Sequence, residues 1–540
     1  MDHFTTGQLR NVALWGHSAT GKTSLGEAAL FATKAINRLG RVEDGNTVAD
    51  YEPEERKRQT SLQIAVLPCI RDKTKINLHD TPGYADFIGE TVSALRVANA
   101  AVLVVSAPAG VGVGTQQMWR RLQALSLPTI VFVNKIDREN VGLDALLGEL
   151  HDQLGRQCVA VNIPVAVGEQ FKDLVGLLGG DAPAEAEDTM SRYREQLAEA
   201  VAETDDDLTE KYLEAGALTP EELTKGLSQA VRAAQVVPVI FGSATQGKRV
   251  EALLDAILAY LPSPDQRPTA ESSEEDQFQE VAADSAAPLA ALVFKTAADP
   301  FVGKLSYFRV YGGTLKVNGE VWNANKQESE RVGQLFVACG KAQESVPELA
   351  AGDIGSVPKL SVTTTGDTLA LRANPRQLTG IEFPTPSYSV AVSPKSKTDL
   401  DKMSIALTRL GEEDPSVRMS REMATGELIV SGIGDTHVEA LLEKPQRKFG
   451  VELEMAVPKV AYLETITKVT KVEYRHKKQT GGHGQYGHVL IRLEPDRGQG
   501  YEFGNEVTGG NVPKDLIPSV EKGVSKAMEE GPMAGFLSSM

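Results

Sequence analysis

Residues 11–32 are NVALWGHSATGKTSLGEAALFA. A short apolar stretch typical of a buried β-strand leads into a glycine-rich turn and then into a helical pattern. The turn is a full match to G-x-x-x-x-G-K-[ST], in the strand-to-helix context that this motif requires. We therefore predict a phosphate-binding loop whose nucleotide contacts come from Gly16, His17, Ser18, Ala19, Thr20, Gly21, Lys22, Thr23 and Ser24.

The residue types in this loop suit a nucleotide with Mg²⁺. Glycines let backbone N–H groups curl around the β-phosphate, and the helix N-terminus adds a favourable partial charge. Lys22 would bridge the β- and γ-phosphates, and the Thr23 hydroxyl would bind Mg²⁺. The alternative is a glycine-rich strand–helix turn that binds nothing.

A second motif closes the apolar-alternating stretch KINLHD. Asp80 could hold Mg²⁺ through water, and the Gly83 amide could sense a γ-phosphate. By itself D-x-x-G is common in turns, so this pattern is weak alone. The predicted nucleotide contacts here are Asp80, Thr81, Pro82 and Gly83. Tyr84 follows them at the place where a water-orienting residue is needed.

A third motif, NKID at 134–137, indicates which base is bound. The Asp137 carboxylate can accept from both the ring N–H and the exocyclic amine of guanine, whereas adenine lacks donors at both positions. An Asn-initiated turn is the alternative for this motif alone. Ser243 and Ala244, at the end of the last strand, offer backbone donors to guanine O6. Four elements in this order predict a GTP/GDP site, with Asn134, Lys135 and Asp137 on the base.

The stretch DYEPEERKRQTSLQIAV at 50–66 lies between the first two motifs. Either Ser61 or Thr60 could complete the Mg²⁺ site, and a solvated charged loop is the alternative. We take Thr23, Ser61 and Asp80 as the predicted metal ligands. Lys22, Gly83 and Tyr84 are the predicted catalytic residues.

Composition limits the class of protein. The chain has 540 residues, of which 41% are hydrophobic and 24% charged, and this length predicts roughly three to five domains. No apolar stretch is long enough to span a bilayer, the N-terminus lacks signal-peptide features, and the three cysteines are far apart. We therefore predict a cytoplasmic protein without a membrane partner. The net charge of −17 argues against a general grip on nucleic acid, although 468–479 is a local basic run.

Pattern changes along the chain predict its organisation. Alternating strands and helices over 8–264 indicate a parallel sheet covered on both faces, with a helical insertion at about 171–236. A Pro-, Ser- and acid-rich linker follows at 265–287. Short strands with glycine turns at 288–375 suggest a β-barrel, and the order strand, helix, strand, strand, helix, strand at 382–457 suggests a ferredoxin-like fold. Another α+β unit begins at about 459 and runs to 540.

With these motifs in this order, the chain resembles elongation factor G, the ribosomal translocation GTPase, from about Asn11 to Phe536. The distinctive segments are FGSATQGKRVEALLDAILAYLPSP, SGIGDTHVEALL, QTGGHGQYGHV and GGNVPKDLIPSVEKGVSKAMEEGPMAGF. The resemblance implies a P-loop GTPase domain, a translation-protein β-barrel, a ferredoxin-like domain and a ribosomal-S5-like domain. It also implies a monomer that binds the ribosomal RNA and proteins, and tRNA and mRNA through the fourth domain.

The chain departs from the family pattern at three positions of the site. Ala19 stands where the family has Asp, Ser61 where it has the magnesium-binding Thr, and Tyr84 where it has the water-orienting His. This combination is similar to the divergent elongation-factor-G-like paralogues. The chain stops where the family's fourth domain is about half complete, so we expect an incomplete ribosomal-S5-like domain over 459–540.

Three functions are compatible with these residues. The first is a GTPase that couples hydrolysis to translocation of tRNA and mRNA, or to ribosome disassembly. The second is a GTP-dependent ribosome-binding switch that hydrolyses slowly because of Tyr84. The third is a ribosomal protection factor of the same superfamily, with translocation lost through truncation. Ribosome-stimulated turnover separates the first two.

Overall fold

The computed structural model describes most of the chain. The described residues are 4–139, 142–167, 171, 173–179, 187–267, 271–274, 277–299, 303–460, 462–495, 501–533 and 536–539. They form two compact units. The first comprises Met1–Tyr388, Ser396–Arg418 and Ser431–Leu453, and the second comprises Ser389–Lys395, Met419–Val430 and Glu454–Met540.

Strands and helices alternate over the first part of the first unit, as the sequence predicts. The strands are β1 (Leu9–Trp15), β2 (Ala65–Arg71), β3 (Thr74–Asp80), β4 (Ala100–Ser106), β5 (Thr129–Asn134), β6 (Cys158–Ala160), β7 (Asn162–Pro164), β8 (Leu174–Gly176) and β9 (Val237–Phe241). The helices are α1 (Lys22–Ala32), α2 (Pro53–Arg58), α3 (Ile88–Val97), α4 (Val113–Ala124), α5 (Leu143–Leu154), α6 (Glu187–Ala202), α7 (Asp206–Ala215), α8 (Pro220–Arg232) and α9 (Val250–Tyr260).

The main sheet has the strand order β2-β3-β1-β4-β5-β9-β6. The β2–β3 pair is antiparallel and the other pairs are parallel. Strands β1, β4 and β5 are buried along their whole length, which explains their continuous apolar sequences. Because β1, β3 and β5 run in parallel, the motifs at their carboxyl ends meet at one edge of the sheet.

The segment predicted as a helical insertion contains α6, α7 and α8, and its residues 172 and 180–186 lie outside the described part. Helix α8 begins with a capping box. The Thr219 hydroxyl accepts from the Glu222 amide at 3.3 Å, and the Glu222 carboxylate accepts from the Thr219 amide at 3.1 Å. Strand β8 pairs antiparallel with β7 and was not predicted, because three residues are too few to show a period.

Antiparallel strands follow. Within the predicted linker, β10 (Glu271–Glu274) pairs with β11 (Gln277–Glu280), although 268–270 and 275–276 lie outside the described residues. This pairing was not predicted, because backbone hydrogen bonds form between strands whatever their side chains. The next strands are β12 (Ala290–Asp299), β13 (Gly303–Gly312), β14 (Thr314–Lys316), β15 (Glu320–Asn323), β16 (Glu328–Arg331), β17 (Phe336–Cys339), β18 (Ala342–Ser345), β19 (Glu348–Ala350), β20 (Ile354–Pro358) and β21 (Thr368–Ala370).

These strands form an eight-stranded sheet in the order β16-β15-β21-β12-β13-β20-β17-β18, beside the two-stranded β14-β19 ribbon. Alternate residues of β12 and β13 enter a buried apolar cluster that contains Val293, Phe308 and Val310. The opposite faces of the same strands contribute to a second cluster, which includes Leu292 and Phe294. The period-2 pattern in the sequence therefore corresponds to burial on both faces of these central strands.

The next elements are β22 (Tyr388–Pro394), α10 (Leu400–Glu413), β23 (Arg418–Arg421), β24 (Leu428–Gly432), α11 (Asp435–Phe449) and β25 (Leu453–Ala456). Their chain order is the one predicted. The sheet order, β23-β24-β22-β25, is that of a ferredoxin-like fold. The sequence DTH at 435–437, after SGIG, predicts a helix that starts with Asp435 as its N-cap. The structure instead has Gly434 at the cap and Asp435 as the first helical residue, whose carboxylate accepts from the Thr436 amide at 2.7 Å.

The remaining elements of the second unit are β26 (Leu463–Thr465), β27 (Thr470–Thr480), β28 (His483–Leu493), α12 (Ile517–Met528) and β29 (Leu537–Ser539). Strands β27 and β28 form a long hairpin closed by Gly481 and Gly482, whose φ angles of 54° and 62° are in the left-handed region. Glycine adopts that conformation without steric cost, which is why this turn is made of glycines. Among the helices of the described part, none is both long enough and apolar enough to cross a bilayer.

A buried polar network joins the parallel sheet to the loop before β20. The Lys75 ammonium lies 2.7 and 2.9 Å from the two Asp353 carboxylate oxygens. Asn77 donates to Asp353 at 3.2 Å and to Asn11 at 2.9 Å, and Asn11 donates to the Gly352 carbonyl at 2.8 Å. Lys75, Asn77 and Asn11 therefore each have a partner in that loop, which fixes the two sheets relative to each other.

This network predicts a large effect on stability. Lys75→Met should lower the free energy of unfolding by about 3–5 kcal/mol, because Asp353 would remain buried without its cation. Urea unfolding followed by tryptophan fluorescence measures the change. Lys211→Met removes an exposed ion pair with Glu222 and should leave the unfolding midpoint nearly unchanged. Equal midpoints for the two variants would contradict the role given to the network.

Candidate functional site

The loop between β1 and α1 encloses the side chain of Lys22, the first residue of α1. Its ammonium donates to the Gly16 and His17 carbonyls at 2.8 and 3.0 Å. Burial lowers the pKa of Lys22 to about 8, and the carboxylates of Asp80 and Asp50 partly oppose this shift. The loop thus holds the Lys22 ammonium where the motif requires a positive charge to meet phosphate oxygens.

The NKID motif supports the same loop from the next strand end. Asn134 donates its side-chain amide to the Thr20 carbonyl at 2.9 Å, and the Lys135 ammonium donates to the Ala19 carbonyl at 2.7 Å. Gly21 has a φ of 94°, and a Cβ atom there would lie 2.3 Å from the Asn134 amide nitrogen. A side chain at Gly21 would therefore break the contact between the two motifs.

Three predicted metal ligands meet beside Lys22. The Thr23 hydroxyl donates to Asp80 Oδ2 at 2.8 Å and lies 3.0 Å from the Ser61 hydroxyl. The Thr60 hydroxyl instead donates to the Arg58 carbonyl at 3.2 Å. Of the two candidates in this stretch, Ser61 is therefore the one that reaches the other ligands. Ser61 follows α2. The alternative prediction for this stretch, a solvated charged loop, included no helix.

Gly83 lies directly against the phosphate-binding loop. A Cβ atom at Gly83 would be 2.5 Å from Lys22 Nζ and 2.7 Å from the Ser18 backbone nitrogen. Thr81 ties this segment to β1 by donating its hydroxyl to the Leu14 carbonyl at 2.6 Å. Glycine is the residue that allows so close an approach of two backbones, which agrees with a Gly83 amide aimed at a terminal phosphate.

Tyr84 precedes a short 3₁₀ turn, Ala85–Phe87, and its side chain is 47% exposed. Pro82 and Ser24 are two further residues predicted to contact the nucleotide. The Pro82 carbonyl accepts from the Thr91 hydroxyl at 3.5 Å, and Ser24 is half-buried in α1. Tyr84 therefore directly follows Gly83 but is open to solvent, whereas residues 80–83 are buried.

The base side of the site differs in part from the expectation. Asp137 Oδ2 accepts from the Gln246 side chain at 3.3 Å. The Ala244 amide, expected to face guanine O6, donates to Asn134 Oδ1 at 2.9 Å, and the Ser243 amide donates to a backbone carbonyl at 3.2 Å. A guanine oxygen would have to share these donors. Side-chain contacts of this kind cannot be seen in a sequence.

Sequence reasoning missed Asp50. Its side chain is buried, and burial raises its pKa, opposed by the nearby Ser61 hydroxyl and the Lys22 ammonium. Burial, followed by the charge of Asp50, raises the pKa of Asp80 to about 7. The sequence signal that could have identified Asp50 was its position as the first residue of the 50–66 stretch. An acid before a charged helix looks like a solvated side chain unless the fold is known.

The residues fit a divalent cation and a guanine base. Asp80 Oδ1 and Asp137 Oδ1 are buried and have no hydrogen-bond partner within the described part of the chain. An unpaired buried acceptor is costly, so each oxygen suits a ligand group. A cation-bound water fits at Asp80, beside two hydroxyls, and the N–H donors of guanine fit at Asp137. Among the described residues, no group of three or more His, Cys, Asp and Glu side chains is arranged to hold a metal, so the predicted site depends on the two hydroxyls beside Asp80.

Comparison with known proteins agrees with the resemblance found in the sequence. Residues 7–263 match the model of the elongation factor Tu GTP-binding domain, and residues 288–371 match elongation factor G domain 2. Residues 383–457 match elongation factor G domain III, and residues 458–537 match elongation factor G domain IV.

A solved crystal structure of a Thermus thermophilus protein is similar over almost the whole chain. It is 37% identical with a TM-score of 0.85, and the match covers 98% of this chain and 79% of that one. Four family models in the order of the elongation factor G domains leave one assignment: the chain belongs to the elongation factor G family of translation GTPases.

Proposed function

We propose that this protein binds GTP with Mg²⁺ and hydrolyses it on the ribosome, coupled to translocation of tRNA and mRNA or to ribosome disassembly. Membership of the family supports a GTPase that acts in translation. The observation that carries the proposal is the convergence of Thr23, Ser61 and Asp80 beside the buried ammonium of Lys22. These groups form one cation and phosphate site from three separate segments.

Each residue has a role in this proposal. Lys22 binds the β- and γ-phosphate oxygens, and the Gly83 amide faces the γ-phosphate. Thr23, Ser61 and Asp80 would hold Mg²⁺, which when bound would supply positive charge beside the phosphates. A serine hydroxyl supplies the same oxygen ligand as the threonine of the family pattern. Asp137 selects guanine, and Asn134 and Lys135 hold the phosphate-binding loop in shape.

Tyr84 is proposed to orient the attacking water. Its hydroxyl can donate or accept one hydrogen bond, and orientation rather than proton abstraction is the main demand at this position. Tyrosine is longer than histidine, so its oxygen is displaced from where an imidazole nitrogen would be. The 47% exposure of the side chain also leaves it weakly held. We therefore propose slow hydrolysis, and a slowly hydrolysing ribosome-binding switch is the second candidate function.

The β27–β28 hairpin is the proposed contact with RNA. Arg475, Lys477 and Lys478 are exposed on β27, and Tyr474 and Tyr486 are 66% and 68% exposed. Cationic side chains bind phosphates, and exposed aromatic rings can stack on bases. This supports contact with tRNA or mRNA despite the net negative charge of the chain. We further propose that the protein acts as a cytoplasmic monomer.

Asp137→Asn should change the base that is bound. The new amide offers one acceptor and one donor, so GTP affinity should fall by about 100-fold or more, with a gain for xanthosine triphosphate, whose C2 carbonyl can accept. Calorimetry with GTP, xanthosine triphosphate and ATP measures the change. Gln246→Ala keeps the carboxylate and should keep guanine selectivity. Equal affinity of the unmutated protein for ATP and GTP would refute the assigned base site.

Tyr84→His should speed single-turnover GTP hydrolysis on ribosomes by about tenfold or more, because the imidazole reaches the water position better. GTP affinity should stay within about twofold, since Tyr84 lies outside the enclosed phosphate loop. Tyr84→Phe keeps the ring and tests the hydroxyl alone. If Tyr84→His is no faster, or Tyr84→Ala equals the unmutated protein, the water-orienting role is wrong.

The RNA contact predicts a salt-dependent loss. Replacing Lys477 and Lys478 by glutamate should weaken ribosome binding by about tenfold or more at low salt and reduce its salt dependence, because fewer counterions are released. Pelleting with ribosomes at several salt concentrations measures both quantities. Replacing Lys211 and Lys225 in the helical insertion by glutamate makes the same charge change elsewhere. Equal losses for the two double variants would count against a specific contact.

A further inference from the structure

Helix α11 faces the short helix α2, which leads into Ser61. Arg447 forms ion pairs with Glu54, at 3.0 and 3.1 Å, and with Glu52. One helical turn earlier, Glu443 binds Arg58 at 2.5 Å and Lys57 at 3.0 Å. The acidic end of α2 thus meets a cation and its basic end meets an anion. This order of charges favours a single alignment of the two helices.

The contact with Glu54 is stronger than an ordinary surface ion pair. Its side chain is only 7% exposed, and that of Arg447 is 32% exposed. Burial alone would raise the pKa of Glu54, but the hydrogen bonds and charge of Arg447, together with the Glu54 backbone amide and the charge of Lys444, outweigh it and the pKa is lowered. Loss of Arg447 would leave a buried carboxylate without its hydrogen-bonded cation, which costs more than loss of an exposed pair.

Helix α2 passes this alignment on to Ser61. The Glu55 carboxylate, in the middle of α2, accepts from the Leu62 amide at 3.0 Å and from the Gln63 amide at 3.3 Å. The residues on either side of Ser61 are therefore attached to α2, since Thr60 donates its amide to the Glu55 carbonyl at 3.2 Å. A shift of α2 would move the Ser61 hydroxyl away from Thr23.

The same helix α11 also contacts the segment that carries Tyr84. Leu62, Phe87 and Ala440 form a small buried apolar cluster. The His437 ring lies edge-on to Phe87, with ring centroids 5.7 Å apart, and Asp414 holds its Nε2 at 2.7 Å. One face of α11 therefore contacts Leu62, next to Ser61, and Phe87, whose amide donates to the Tyr84 carbonyl at 3.1 Å.

We propose that Arg447 and Glu443 are positioning residues for GTP hydrolysis, which align Ser61 and Tyr84 by holding α2 and the Phe87 turn against α11. Neither residue belongs to the nucleotide site itself. The inference rests on the proposed function, and it assigns to the third domain the control of two groups of that site. A displacement of α11 would then slow hydrolysis without removing any nucleotide ligand.

The test compares Arg447→Glu with the unmutated full-length protein. Single-turnover GTP hydrolysis at saturating ribosome concentration should fall by about tenfold. GDP affinity should stay within about twofold, because GDP needs neither Ser61 nor Tyr84. Limited trypsin digestion in the presence of a non-hydrolysable GTP analogue should cut faster after Arg56, Lys57 and Arg58.

Two further variants separate positioning from general damage. Arg447→Glu combined with Glu54→Arg reverses the charges of the pair and should restore at least half of the lost rate and of the trypsin protection. Arg71→Glu breaks an ion pair with Asp255, at 2.9 Å, that contacts neither α2 nor α11, and should match the unmutated protein.

The outcomes distinguish this inference from the proposed function. If the unmutated protein does not hydrolyse GTP on ribosomes, the proposed function fails and the inference fails with it. If it does, and Arg447→Glu has the same rate and the same trypsin pattern, only the inference is overturned. It is also overturned if the rate loss comes with a matching loss of GDP affinity, or if Arg71→Glu is equally slow.

Discussion

The Thr23 hydroxyl is the point on which the arrangement of the site depends. It contacts Asp80 at the end of β3 and Ser61 after α2, and it is itself fixed at the start of α1. Three segments that are distant in the chain are thereby brought to one edge of the parallel sheet. Because the groups are buried, each of them must keep a polar partner, and this requirement makes the arrangement specific.

The strands after the linker take part in the same arrangement. The Lys295 ammonium, from β12, donates to the Ile64 carbonyl at 2.5 Å, while the Glu90 carboxylate accepts from the Ile64 amide at 2.8 Å. Burial raises the pKa of Glu90 and lowers that of Lys295, and in each case the opposite charge of the other residue opposes the shift. The backbone just after Ser61 is thus held by two buried side chains of opposite charge.

Much of the fold could be predicted because its signals are local. The G-x-x-x-x-G-K-[ST] loop, the apolar strands and the ferredoxin-like order each depend on residues close together in the chain. Signals that are short or rest on the backbone alone were missed, as with β8 and the β10–β11 pair. The assignment of Asp435 as a helix cap was one residue off, because a glycine can take the same place.

By itself the sequence determined the fold classes, the order of the domains and the residue types of a GTP site, since these follow from periodicity, motif spacing and family resemblance. Only the tertiary structure decided that Ser61 rather than Thr60 reaches Thr23, that Asp50 lies beside Lys22, and that α11 contacts α2. Arg447 and Glu54 are 393 positions apart in the chain. Their contact depends on how whole domains pack, and no local pattern of residues can predict a contact between positions so far apart in the chain.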